Sequence, residues 1–139
     1  MQRRFHCATN GPGFHELTDQ IADWLRGAGD GLLVLMVRHT SASLLIQENA
    51  DPDVQADLLS WLDRIAPQAD HPSMAWLRHR AEGPDDMPAH LKAAILPTSL
   101  SIPVVAGRMA LGTWQGIYLV EHRSTPHRRE VAALFQPMP

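Results

Sequence analysis

The sequence predicts an α+β domain, and three stretches carry that prediction. Leu32 to Val37 is a short, wholly apolar run bounded by turn residues, the mark of a core strand. Asp51-Pro52-Asp53 opens a segment in which Val54, Leu58, Leu62 and Ile65 recur at helical spacing. Leu111 to Arg123 reads as a long strand interrupted by glycines, which mark a bulge or the close approach of another backbone. No internal repeat, low-complexity tract or linker divides the chain, so its 139 residues are expected to form one domain, 1–139.

The elements follow in order. Gln2 to Thr9 is a first strand, Asn10-Gly11-Pro12-Gly13 carries turn chemistry, and Phe14 to Leu17 returns as its partner. Thr18 is the expected N-cap, with Asp19 in the first turn, of a helix to about Gly27 with the apolar stripe Ile21, Trp24 and Leu25. Leu32 to Val37 is expected to be a central strand buried on both faces, because it contains no polar residue. The polar segment Arg38 to Ser43 follows it directly, at a strand end where the scaffold is rigid and solvent has access. Leu44 to Ile46 continues as strand. The helix opened by Asp51 runs to Pro67, and Gln68 to Met74 is a polar surface loop with a solvated His71. Ser99 to Val104 alternates like a strand, with Pro103 placing it at an edge or ladder end. Ala106-Gly107 turns the chain, Ser124 to Arg128 turns it again after the glycine-interrupted strand, and Glu130 to Phe135 is the last strand.

The densest chemistry lies between Arg78 and Lys92, where two histidines, three carboxylates and three cations surround Gly83. Gly83-Pro84 and Met87-Pro88 break regular structure, since proline lacks an N–H and holds its predecessor extended. The reading is a rigid acidic loop feeding a short helix from Pro88 to about Leu96, with His90 in its first turn facing the carboxylates and Leu91 and Ile95 facing the core. A cap needs only one of Asp85 and Asp86, and the surplus carboxylate, Asp86, is available for a metal or a proton.

Composition narrows the function classes. A net charge of -3 with no segregated Lys/Arg cluster argues against a nucleic-acid interface. The longest apolar run is far too short to cross a bilayer, no leader is read at the start, and the single cysteine, Cys7, fits a reducing cytoplasm. Eight histidines beside three phenylalanines and one tyrosine direct attention to a metal or acid–base site. His39, His79 and His90 fall at the ends of separate elements and are expected to converge on one metal, their ring nitrogens within about 4–5 Å. Three imidazoles with an open position suit zinc, whereas Glu82, Asp86 and Glu121 would suit magnesium. Strand alternation sets Glu121 and Arg123 on one face and His122 on the other.

Five blocks of this sequence resemble the YjbQ-like proteins, also called the secondary thiamine-phosphate synthase family. They are HTSAS at 39–43, QENADPDV at 47–54, RH with EGPDDMPAHLK at 78–92, SLSIPV at 99–104 and LGTWQGIYLVEHR at 111–123. The resemblance implies an antiparallel, sandwich-like core flanked by helices, a homotrimer, and a weak thiamine-phosphate synthase activity that joins a pyrimidine pyrophosphate to a thiazole phosphate. Under that implied activity Asp86 and Glu121 are the catalytic carboxylates and hold a divalent ion. Arg123 and Lys92 pair with phosphate oxygens, Thr40, Ser41, Ser43 and Asn49 supply polar contacts, and Trp114 stacks on the pyrimidine. Zinc on His39, His79 and His90 would favour a metal-dependent hydrolase of a phosphorylated metabolite instead. A non-enzymatic metabolite- or metal-binding trimer is the third reading.

Overall fold

The apolar run becomes β3 (Gly31–Val37), the middle of the larger sheet in this computed structural model, which describes residues 1–139. β3 pairs antiparallel with β5 (Ser99–Val105) on one side and β8 (Pro126–Pro137) on the other. β1 (Gln2–Asn10) extends the sheet beyond β8, and β6 (Arg108–Met109) extends it beyond β5. A second, three-stranded sheet has the order β2 (Gly13–Glu16), β7 (Gln115–Glu121), β4 (Ala42–Glu48), again antiparallel. The architecture is thus a mixed α/β domain with curled antiparallel sheets, three helices and one 3-10 turn, Pro72–Met74.

The core lies between the sheets. Leu33, Leu35, Ile102 and Phe135 from the first meet Leu44, Ile117 and Leu119 from the second. α1 (Thr18–Leu25) closes one end with Ile21 and Leu25, both fully buried, and Trp24 meets Phe5 edge-on at 5.8 Å between ring centroids. Each such side chain contributes about 1.5–3 kcal/mol of burial. α2 (Pro52–Ile65) packs on β2 and α3 (Asp86–Ile95) on β4, so both helices lie over the second sheet. The outer face of the first sheet has no helix over it. For that reason β3 is not buried on both faces as its composition predicts: it alternates, with Leu32 and Met36 39% and 54% exposed. No helix is long and apolar enough to cross a membrane.

Several boundaries differ from the sequence reading. Asp51 caps α2 as expected, its Oδ1 accepting the Asp53 N–H at 2.9 Å. Thr18 does not cap α1. Its hydroxyl instead donates to Glu16 and accepts the Ile117 N–H at 2.9 Å, tying the helix start to β7. The expected strand from Leu111 begins only at Gln115, after a turn, and its Gly116 is closely surrounded: a Cβ there would lie 2.7 Å from the end of the Glu16 side chain and 3.2 Å from Asn49 and Tyr118. α3 starts at Asp86, two residues before Pro88, and turns Asp86, Ala89, Lys92 and Ala93 inward. Ile95 is left 56% exposed rather than in the core. β8 begins at Pro126, paired with Asn10, so the predicted turn to Arg128 is shorter and Arg129 faces inward.

Candidate functional site

The loop before α3 is held by its own backbone. The Arg80 guanidinium donates to the carbonyls of Leu77, Ala69 and Met74 at 3.0–3.2 Å, over a small apolar cluster of Ala69, Met74 and Leu77. Glu82 and Gly83 are both left-handed, with φ of 68° and 99°. A non-glycine residue adopts that conformation at a cost, and here the bend brings the Glu82 carbonyl to Arg123 Nη2 at 2.9 Å.

Arg123 organises the head of α3. Its Nε donates to Asp85 Oδ2 at 2.9 Å and its Nη1 to Asp86 Oδ1 at 2.7 Å. Asp85, at the N-cap position, makes no side-chain cap and accepts the Ser124 N–H instead. Burial alone would raise both carboxyls. The Ser124 N–H and Arg123 hold Asp85 below the usual range, and the hydrogen bond from His79 with the His90 and Arg123 charges does so for Asp86. Burial would likewise lower the Arg123 guanidinium, but Asp85 and Asp86 outweigh it and raise its pKa.

With Oδ1 taken by arginine, Asp86 Oδ2 faces two imidazoles. His79 Nε2 lies 2.6 Å from it and His90 Nε2 3.3 Å, and ligand atoms of the three residues all fall within 4.8 Å of one another. His90 donates its Nδ1 proton to the Thr40 carbonyl at 3.0 Å, which fixes the ring with Nε2 toward Asp86. Asp86 is 2% exposed in its side chain while His79 is 43% exposed, so the cluster is anchored in the protein and open on one side.

The third group that the structure brings to His79 and His90 is therefore Asp86 and not His39. His39 Nε2 accepts the Glu130 backbone N–H at 2.7 Å, joining the end of β3 to β8. Burial, then the Arg129 charge, lower its pKa against the opposing pull of Glu121 and Glu130, so it is held as a neutral acceptor.

Glu121 points between the sheets, away from this cluster. It is fully buried and bound by Arg129 at 2.5 and 2.7 Å, by the Thr9 hydroxyl at 2.5 Å, and by the N–H groups of His122 and Arg123. Burial raises its carboxyl, but Arg129, Thr9 and the Arg123 N–H bring it below the usual range. Its cation is thus Arg129 rather than Arg123, and Ser41 completes the knot by accepting from Arg129 at 2.9 Å. Ser43 is buried against His122, and Lys92 is paired with Asp63 at 2.7 Å. Thr40 reaches the cluster through its carbonyl alone. Asn49 and Trp114 are exposed and neighbours of each other, the Asn49 N–H meeting the Trp114 carbonyl at 2.9 Å, and neither is in the cluster.

Arg129, Asp63 and Thr9 are missing from the sequence reading. Arg129 was legible only through the pairing of Cys7 with Arg129 across β1 and β8, a register no local pattern specifies.

A family described as UPF0047 protein YjbQ-like matches residues 3–137. The UPF0047 protein YjbQ of Salmonella typhimurium is 44% identical over 97% of this chain and 96% of its own length. The UPF0047 protein sll1880 of Synechocystis is 48% identical over 89% of this chain and 83% of its own. Among solved structures, the conserved hypothetical protein TT1486 from Thermus thermophilus superposes with a TM-score of 0.84 at 36% identity, covering 96% of this chain and 99% of that one. Fold and cluster together define a mixed α/β protein of this architecture, and the chain belongs to the YjbQ-like UPF0047 family.

The thiamine-phosphate synthase reading is corrected by the same comparisons. These relatives are named only by their family or as hypothetical proteins, and none is named for that activity or for any transferase. The geometry points the same way, since Arg123 and Glu121, meant to take phosphate and metal, are already paired to internal partners.

Proposed function

We propose that this chain is a metal-binding protein that holds a divalent ion of the zinc class through His79, Asp86 and His90. One observation carries the reading: two imidazole nitrogens and a carboxylate oxygen from different turns of the chain come within 4.8 Å of one another, a spacing that ligand bonds of about 2.0–2.2 Å can bridge. The donor set favours zinc over magnesium, which takes oxygen ligands and keeps its waters. Arg123 fixes the Asp86 carboxylate, and the Thr40 carbonyl fixes the His90 tautomer, as outer partners do at metal sites. His79 leaves one side open, so a zinc-class ion held there would keep a position for water or another small ligand.

We further propose that the chain assembles as a homotrimer and works in the cytoplasm. What supports assembly is the uncovered outer sheet face, where Leu32, Met36, Val105 and Leu134 are 39–59% exposed.

Isothermal titration of metal-stripped protein with zinc tests the site. One ion per chain is expected, with affinity reduced by at least about tenfold in His90→Ala and unchanged in His39→Ala. Equal loss in both variants, or in neither, would sink the assignment.

A further inference from the structure

His122 and Lys92 are 3% and 5% exposed, and neither belongs to the metal cluster. On α3, Asp86 and His90 share a face at i, i+4, whereas Lys92 lies about 200° around the helix from His90. Together with His122 it lines a separate cavity of about 130 Å³, walled by Leu59, Leu62 and Asp63 of α2 and by Glu121.

The polar side chains lining this cavity are two donors, Lys92 and His122, and two carboxylates, Asp63 and Glu121. The Ser43 hydroxyl is fully buried, and its only partner is His122 Nε2 at 2.8 Å. A buried hydroxyl proton without an acceptor costs about 1–3 kcal/mol, so Ser43 donates and Nε2 accepts. The ring proton then sits on Nδ1. Nδ1 makes no hydrogen bond within the chain, yet no enclosed side-chain nitrogen is left unpaired, so Nδ1 keeps access to solvent, and His122 lines this cavity. The Lys92 ammonium spends one N–H on Asp63 Oδ1 and has two more. Glu121 is saturated by Arg129, Thr9 and two backbone N–H groups and offers the cavity no open acceptor. The acceptor that remains is Asp63, whose side chain is 69% exposed and sits at the mouth.

We infer that this cavity is a binding site for a small oxyanion, a carboxylate or inorganic phosphate, held by His122 Nδ1–H and the Lys92 ammonium. Asp63 holds one Lys92 N–H and, as a carboxylate on the same ammonium, repels a second negative charge there. At roughly 30 Å³ per water the space corresponds to about four waters, which matches an oxyanion head and is too small for a nucleotide.

The test uses protein stripped of metal with EDTA, so that anion binding cannot report on the metal cluster. Inorganic phosphate and acetate are titrated separately by calorimetry, with the His122 ring nitrogens followed by NMR. Expected is a Kd below about 1 mM for at least one anion, a shift of the His122 Nδ1 resonance, and at least tenfold weaker binding in Lys92→Met. Asp63→Asn keeps the shape and an oxygen acceptor for Lys92, removes the repelling charge and tightens binding several-fold. The anion that binds identifies the ligand as carboxylate or phosphate. Absence of binding by both anions overturns the inference. So does binding that Asp63→Asn leaves unchanged, a readout that survives even if Lys92→Met fails to fold.

Discussion

Replacing Arg123 with methionine probes the head of α3 most sharply. The guanidinium is 14% exposed and is the one cation bonded to two adjacent carboxylates, Asp85 and Asp86, whose side chains are 10% and 2% exposed. Methionine keeps much of the stem and removes three hydrogen bonds: to Asp85 Oδ2, Asp86 Oδ1 and the Glu82 carbonyl. Hydrogen bonds to charged groups are worth about 1.5–3 kcal/mol each, but they are not additive here because the carboxylates relax apart. Removing one member of a buried ion pair costs about 3–5 kcal/mol, which is the expected loss at neutral pH. Urea unfolding of metal-stripped protein measures it. The same substitution frees Asp86 Oδ1, so zinc affinity falls by about 10–100-fold. Asp85→Asn in the Arg123→Met background relieves one uncompensated charge and restores part of the stability. A loss below about 1 kcal/mol with zinc affinity unchanged would refute the role given to Arg123, since that is the range of an exposed pair.

Other substitutions test the remaining pairings. Burial, and then the Lys92 charge, push His122 down to about 4, with Arg129 adding to the effect and Glu121 opposing it. The unfolded chain takes that proton near the ordinary value, so this contribution is complete above about pH 6.5 and lost as pH falls toward 4. Denaturation across that window should show about 3 kcal/mol of pH dependence that His122→Gln removes. Arg129→Met leaves the fully buried Glu121 unpaired and costs about 3–5 kcal/mol by urea unfolding, part of which Glu121→Gln recovers in the double variant. Gly116→Ala puts a methyl 3.2 Å from the Tyr118 ring and displaces the Glu16 carboxylate, 2.7 Å away, lowering stability by about 1 kcal/mol in urea unfolding.

The elements were legible where chemistry is local. Asp51-Pro52-Asp53 marks the start of α2 by itself, and proline and glycine mark the loop into α3. Exposure across a sheet is not local. Leu32 and Met36 belong to an unbroken apolar run, and only the position of α2 and α3 over the other sheet decides that they face outward. The histidines at 79 and 90 were legible as a pair because one loop and one helix start carry both. His39 was indistinguishable from them in sequence, since what removes it is a backbone N–H of Glu130 brought over by β8. Glu121 and Arg123 share a strand face by alternation, but the strand ends at Glu121. The partner that Glu121 finds, Arg129, depends on the register of β8 against β1, the last strand against the first.

Anomalous diffraction at the zinc edge, from crystals grown with zinc, tests the metal site directly. The account predicts one strong peak per chain at about 2.0–2.2 Å from His79 Nε2, His90 Nε2 and Asp86 Oδ2, with His39 still bound to the Glu130 N–H. A peak on His39, or zinc bound elsewhere while His79, Asp86 and His90 keep only their mutual hydrogen bonds, would contradict it.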